Sequence, residues 1–172
     1  FTGDTSAQDV THTQPMKLAA MEGLNKGGHG ADFTIIGIPI EDSALASDRM
    51  RTIKYNISVP NMLSFLGYHD FNAFVPGVED ILNGYTSHEG KTYPSVEQRM
   101  SNGRTAIEAL RTYKQAVENK NDALANESLA TLKANYHDFG YGYLTSPDEV
   151  IPPISLVFYS FRIMVGLGML FL

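Results

Sequence analysis

From Ile151 to Leu172 the chain runs 22 residues with a single charged side chain, Arg162. At 1.5 Å per residue, about 20 helical residues cross the ~30 Å hydrocarbon core of a bilayer. Proline is tolerated at a helix start and not in its interior, so Pro152 and Pro153 place the predicted helix from about Pro153 to the end of the sequence. Arg162 then falls some nine residues into it. A charge at such depth is costly unless it snorkels or finds a partner, which makes Arg162 a candidate functional residue by default. The plain alternative is a buried last helix of a globular domain. Gly166 and Gly168 suit close packing against other membrane helices.

The charge distribution agrees with a divided chain. Residues 1–150 hold 12 basic and 19 acidic groups, a net of −7, within a total of −6. The expected organisation is therefore a module over 1–150 and the start of a transmembrane helix over 151–172. An acidic balance argues against a nucleic-acid partner, which needs a basic footprint. The absence of cysteine excludes disulfides, iron–sulfur clusters, covalent CxxCH haem attachment and a cysteine nucleophile. The opening FTGDTSAQDV lacks the basic and apolar regions of a signal peptide.

Local patterns predict a mainly helical α+β module. Residues 1–12 read as a polar loop. Thr13 and Pro15 open a short helix over PMKLAAMEGL, stopped by Gly27, Gly28 and Gly30. FTIIGI at 33–38 reads as a strand ended by Pro39. TIKYNISV at 52–59 alternates apolar and polar residues with the period of a half-buried strand. The two form an antiparallel hairpin across 40–51, with a short helix following at 60–67. Residues 68–93 read as irregular, with a helical turn near Val78–Leu82. From Pro94 the period lengthens. Val96, Met100, Gly103, Ile107, Leu110 and Val117 share one helical face, and Ala125, Leu129, Leu132, Tyr136 and Phe139 repeat with 4-3 spacing. These predict an antiparallel helix pair near 95–120 and 122–139, broken by GYGYL at 140–144.

The sequence has no HExxH, GxSxG, Walker, GxGxxG or EF-hand pattern. His12, His29, His69, His88 and His137 show no metal-ligand spacing among themselves. Two pairs carry possible chemistry. Lys17 and Glu22 lie on the short helix, five residues apart and so about 140° around its axis. They are either two solvated charges or an ammonium and a carboxylate serving one polar ligand. There the carboxylate accepts a proton and the ammonium holds a developing negative oxygen. Arg162 and Met164 lie in the apolar tail, where Met164 is either core or a thioether haem ligand.

Taken together and in order, GDTSAQDVTHTQPMKLAAMEG, FTIIGIP, EQRMSNGRTAIEAL, GYGYL and FYSFRIMVGLGMLFL resemble subunit I of the cytochrome bd ubiquinol oxidases over essentially the whole chain. The resemblance implies the large periplasmic Q-loop between the sixth and seventh membrane helices, with the opening of the seventh, in the inner membrane. It implies a terminal oxidase that passes electrons from quinol through haem b558 and haem b595 to haem d, where oxygen becomes water. Protons from quinol leave on the outer face. In KLAAME, Lys17 and Glu22 match the residues tied to quinol binding and oxidation. In FRIM, Met164 matches the axial ligand of haem b558 and Arg162 the arginine that helps bind or tune it. The implied partners are the rest of subunit I, subunit II, membrane lipid and quinol. The histidine that completes haem b558 is none of the five here, so the isolated chain is expected to be inactive and to hold no haem tightly. From the residues alone, a sensor or binding domain on a C-terminal membrane anchor is the alternative.

Overall fold

The computed structural model describes every residue except 1, 43, 44, 46, 48 and 172, with the side chains of 2–4, 6 and 7 also left aside. In chain order the elements are α1 (Thr2–Thr13), α2 (Pro15–Glu22), β1 (Gly28–His29), β2 (Phe33–Ile40), β3 (Thr52–Val59), α3 (Met62–Tyr68), β4 (Phe74–Val75) and α4 (Val78–Asn83). There follow β5 (Tyr85–Thr86), β6 (Thr92–Tyr93), α5 (Val96–Glu118), α6 (Asp122–Asn135), 3-10 segments at Tyr136–Tyr143 and Pro147–Val150, and α7 (Ile154–Leu170). The expected mainly helical α+β class, with its small hairpin and apolar last helix, is what the chain adopts. The chain forms two compact units, Phe1–Tyr93 with Val150–Leu172, and Pro94–Glu149.

In the first unit, α2 begins with Pro15, whose missing N–H costs nothing there, and ends at Gly23. Gly23 adopts the left-handed conformation (φ 63°) and donates its N–H to Ala19 and Ala20 carbonyls. A side chain at Gly23 would be strained and would run into Ile53. β2 and β3 pair antiparallel from Phe33↔Val59 to Ile40↔Thr52, with two register shifts. β1 pairs with β4, and β5 with β6, both antiparallel. The segment after α2 is pinned to α4: Val78 N–H donates to Leu24 O and Glu79 N–H to Asn25 O, each at 2.9 Å. Asp80 Oδ2 accepts from the N–H groups of both Gly27 and Gly77. Met16, Ala19 and Ala20 of α2 pack with Met50, Val78, Ile81, Ile151 and Ile154 as the main core. Ala31, Leu63 and Val75 form a second cluster.

In the second unit, Ser95 caps α5 by accepting from Gln98 N–H, and Asn121 caps α6 by accepting from Leu124 N–H. The helices are joined by a three-residue turn and pack against each other, the expected antiparallel pair. The buried residues of the two helices are mostly small: Gly103, Ala106, Ala109 and Ala116 on α5, and Ala125 and Ser128 on α6. The segment Tyr136–Tyr143 folds back on α5. A side chain on Gly103 would strike the backbone of Asp138 and Gly142, so the glycine permits the close approach. Arg99 Nε donates to Asp138 Oδ1 at 2.8 Å, and Asn102 Nδ2 to Asp138 Oδ2 at 2.9 Å.

Several expectations are corrected. Residues 2–13 are helix α1 rather than loop, and Thr13 belongs to its end, donating its hydroxyl to Asp9 O. α2 stops at Glu22, before the predicted glycine cluster. β2 continues through Pro39 to Ile40, which an edge strand allows. Region 68–93 contains α4 as expected but also β4, β5 and β6. α6 ends at Asn135, and Val117 and Tyr136 of the predicted stripes are exposed. Of the hairpin connection, residues 43, 44, 46 and 48 lie outside the described residues, as do residue 1 of the predicted loop and residue 172 of the tail.

Candidate functional site

α2 buries Ala19 and Ala20 in the core, and the same turn carries Glu22 inward, where it is only 4% exposed. Glu22 meets Arg162 there. Arg162 continues a stripe set by Ile154 and Phe158, whose i, i+4, i+8 spacing keeps them on one face of α7. Both of those residues are buried. Arg162 Nη2 donates to Glu22 Oε2 at 3.0 Å and to Thr34 O at 2.6 Å. Arg162 Nη1 donates to Met21 O, and to Phe158 O at 3.4 Å. The guanidinium also lies 3.6 Å over the Phe158 ring. Arg162 Nε is buried with no partner among the described residues.

Thr34 N–H donates to Glu22 Oε2 at 3.3 Å. One carboxylate oxygen therefore takes both hydrogen bonds, and Oε1 takes none among the described residues. Burial pushes the Glu22 carboxyl above its ordinary value, with the Arg162 charge, the Thr34 N–H and the Arg162 hydrogen bond pulling it back. A carboxyl raised in this way is a stronger base than a solvated one.

Beside this pair opens a cavity of about 750 Å³, walled by α1, α2, α3, Phe33 and α7. Its lining is mostly apolar, including Leu18, Met21, Leu63, Leu66, Leu156, Phe161 and Val165. Lys17 and Glu22 are its charged residues, and Met164 stands in the same wall. An apolar cavity of this size with a few placed polar groups is the usual form of a small-molecule site.

Of the four residues singled out in the sequence, the cavity gathers Lys17, Glu22 and Met164. Lys17 is exposed, and the ion-pair partner of Glu22 is Arg162. Arg162 sits behind Glu22 rather than in the cavity wall. Sequence reasoning missed Thr34, whose N–H and C=O both serve the pair, and Phe158, which floors the guanidinium. An arginine within an apolar run does signal a needed partner, yet nothing in the sequence points 140 residues back to Glu22. The histidines make polar surface contacts instead, His12 with Glu89 and His88 with Asp70. No cluster of three or more His, Asp or Glu suited to a metal occurs among the described residues.

The Met164 thioether, 61% exposed on α7, is a soft ligand of the kind a haem iron accepts; Arg162 Nε is buried. Among the described residues, Pro147–Leu170 is the segment long and apolar enough to cross a membrane. This helix forms one wall of the apolar cavity. The model of the cytochrome bd terminal oxidase subunit I family matches residues 1–172, and this chain belongs to that family. It is 30% identical over 188 positions to cytochrome bd-II ubiquinol oxidase subunit 1 of Escherichia coli (strain K12). That alignment takes in 99% of this chain and 32% of the relative, so the chain spans about a third of its length.

Proposed function

We propose that this chain is the periplasmic quinol-oxidising loop of a terminal respiratory oxidase, with the opening of the membrane helix that follows it. The observation that carries the reading is the gathering of Lys17, Glu22 and Met164 around one apolar cavity. Oxidation of a quinol removes two electrons and two hydroxyl protons. Glu22 presents an unbonded carboxylate oxygen that accepts a hydroxyl proton, and burial makes it the stronger base. The Lys17 ammonium holds the partial negative charge that grows on the ring oxygen. The apolar walls take the ring and its hydrocarbon tail and exclude water.

Met164 would hold haem b558 through its thioether, with Arg162 beside it on the same helix. A haem held there would supply the one-electron acceptor. The remaining haem-binding residues, haem b595, haem d and oxygen reduction to water belong to the rest of subunit I, working with subunit II in the inner membrane. Protons released at Glu22 leave on the outer face. No specific observation favours an anchored sensor.

The test uses the intact oxidase in membranes with Glu22→Gln and Lys17→Ala. An amide cannot take the hydroxyl proton, so quinol-driven oxygen consumption falls by a factor on the order of 10² for Glu22→Gln. Turnover driven by an artificial one-electron donor that bypasses the quinol site persists, with haem content checked by spectrum. Equal loss of both rates at normal haem content, or loss of neither, overturns the reading.

A further inference from the structure

We propose that Arg162 is a positioning residue for the proton-accepting carboxylate: together with Thr34 N–H it fixes Glu22 Oε2 and so turns Oε1 toward the cavity. The inference rests on the quinol-site reading above and goes beyond the placing of Arg162 beside a haem.

The geometry has three parts. Glu22 lines the cavity and Arg162 does not, so the guanidinium acts on the carboxylate from behind and leaves its front face to a ligand. Both donors converge on the same oxygen, at 3.0 Å from Arg162 and 3.3 Å from Thr34. A carboxylate held by one oxygen is oriented with the other available. Finally, the guanidinium is itself immobilised. It donates to the carbonyls of Met21, Thr34 and Phe158 and lies on the Phe158 ring. These partners come from α2, β2 and α7, so the direction of Glu22 is fixed by three elements at once. Among them the charged groups at the site are Glu22, Arg162 and Lys17, which also lines the cavity.

A planar guanidinium can bridge the carboxylate and several carbonyls, whereas an ammonium cannot hold all of them in the same geometry. The prediction is specific to reactivity. Loss of the orienting group lowers the rate of the bound quinol more than its binding, since the apolar walls that hold the ligand are unchanged.

The experiment measures quinol-driven steady-state kinetics in the intact oxidase for Arg162→Gln, Arg162→Lys, Glu22→Gln and the Glu22→Gln/Arg162→Gln double variant. The reduced haem spectrum serves as the check on assembly. The expected result for Arg162→Gln is a fall in kcat of about tenfold, with KM for quinol within about twofold of the parent. Arg162→Lys recovers part of that loss. With the reduced haem spectrum unchanged, the double variant is no slower than Glu22→Gln alone, because toward the quinol Arg162 acts through that carboxylate. A double variant slower by the product of the two single effects overturns the inference, as does a parental kcat in Arg162→Gln. If Arg162→Gln does not assemble, Arg162→Lys decides. A several-fold loss of kcat at unchanged KM supports the positioning role, and a parental kcat overturns it. A parental rate in Glu22→Gln would instead sink the quinol-site reading itself, so the two failures are distinguishable.

Discussion

The two units reach order by opposite routes. Pro94–Glu149 is built almost wholly from neighbours in sequence: two capped helices, a three-residue turn and a 3-10 return onto α5. Its one buried acid, Asp138, is answered by Arg99 and Asn102 of the helix it returns to. The other unit draws its core from distant segments, with α2 packed on Ile151 and Ile154 near the far end of the chain. It also holds the buried ion pair and the cavity. Here order depends on long-range burial of charge, and the proposed site sits where the chain is least locally determined.

The contrast breaks most visibly at Arg162. Replacing it with Met strands Glu22 as a buried, unpaired acid, at a cost of about 3–5 kcal/mol. Hydrogen exchange should speed in α2 and β2 and stay unchanged in α5. Faster exchange across α5 would mean that the units are not energetically separate. The Glu22→Gln/Arg162→Met pair should recover most of the loss.

The same carboxyl sets a pH signature in the parent. Its folded value is raised above the ordinary 4.5, so the folded state holds the proton more tightly than the unfolded state. Stability contributed by this group is present below about that value and is lost as pH rises toward the raised one. Glu22→Gln should flatten that slope in denaturant titrations at a series of pH values. A slope unchanged by the substitution would assign it elsewhere.

Asp138→Ala should cost the helical unit about 1.5–3 kcal/mol, the scale of hydrogen bonds to a charged group, with exchange protection lost near Tyr136–Tyr143. Leu132→Ala should cost only about 1–2 kcal/mol, below the 2–5 of a fully buried leucine, since Leu132 is half-buried. A loss above that range would place Leu132 in the core. Val117→Ala should stay within about 0.5 kcal/mol, because Val117 is 53% exposed. A larger change would restore the predicted stripe.

What could be read from the sequence follows the same division. The bounds of β3 were legible from its alternation, but the half-buried face was not: Tyr55 and Ile57 are exposed, and the strand is interrupted by the positive φ of Tyr55 and by register shifts against β2. The helix pair was legible from its period and its polar turn, although its face is lined by alanine and glycine rather than by every predicted large residue. α1 was not legible. TGDTSAQDVTHT carries no apolar period, and the helix is supported by side-chain contacts with distant segments, Gln8 to His69 and His12 to Glu89. β1 and β4 are two residues each and exist only through a pairing between positions 28–29 and 74–75. At the site, the carboxylate, the lysine and the thioether were picked out by residue type and resemblance. The pairing of Glu22 with Arg162 was not, because periodicity reports faces of single elements and says nothing about which distant faces meet.

The return of Tyr136–Tyr143 onto α5 has a kinetic consequence. Asp138 lies at Arg99, Gly142 at Gly103, and Leu144 O accepts from Arg104 Nη2, so the chain leaves this unit beside the turns where it entered. Structures made of near neighbours form fast, and contacts across long separations form late. The helical unit can thus close first and remove its own length from the loop that must shut before Arg162 finds Glu22. The entropy saved is small, less than the ~0.6 kcal/mol of a halved loop. The gain lies in sequence of events: the excursion is already folded when the two ends of the charged pair begin their search.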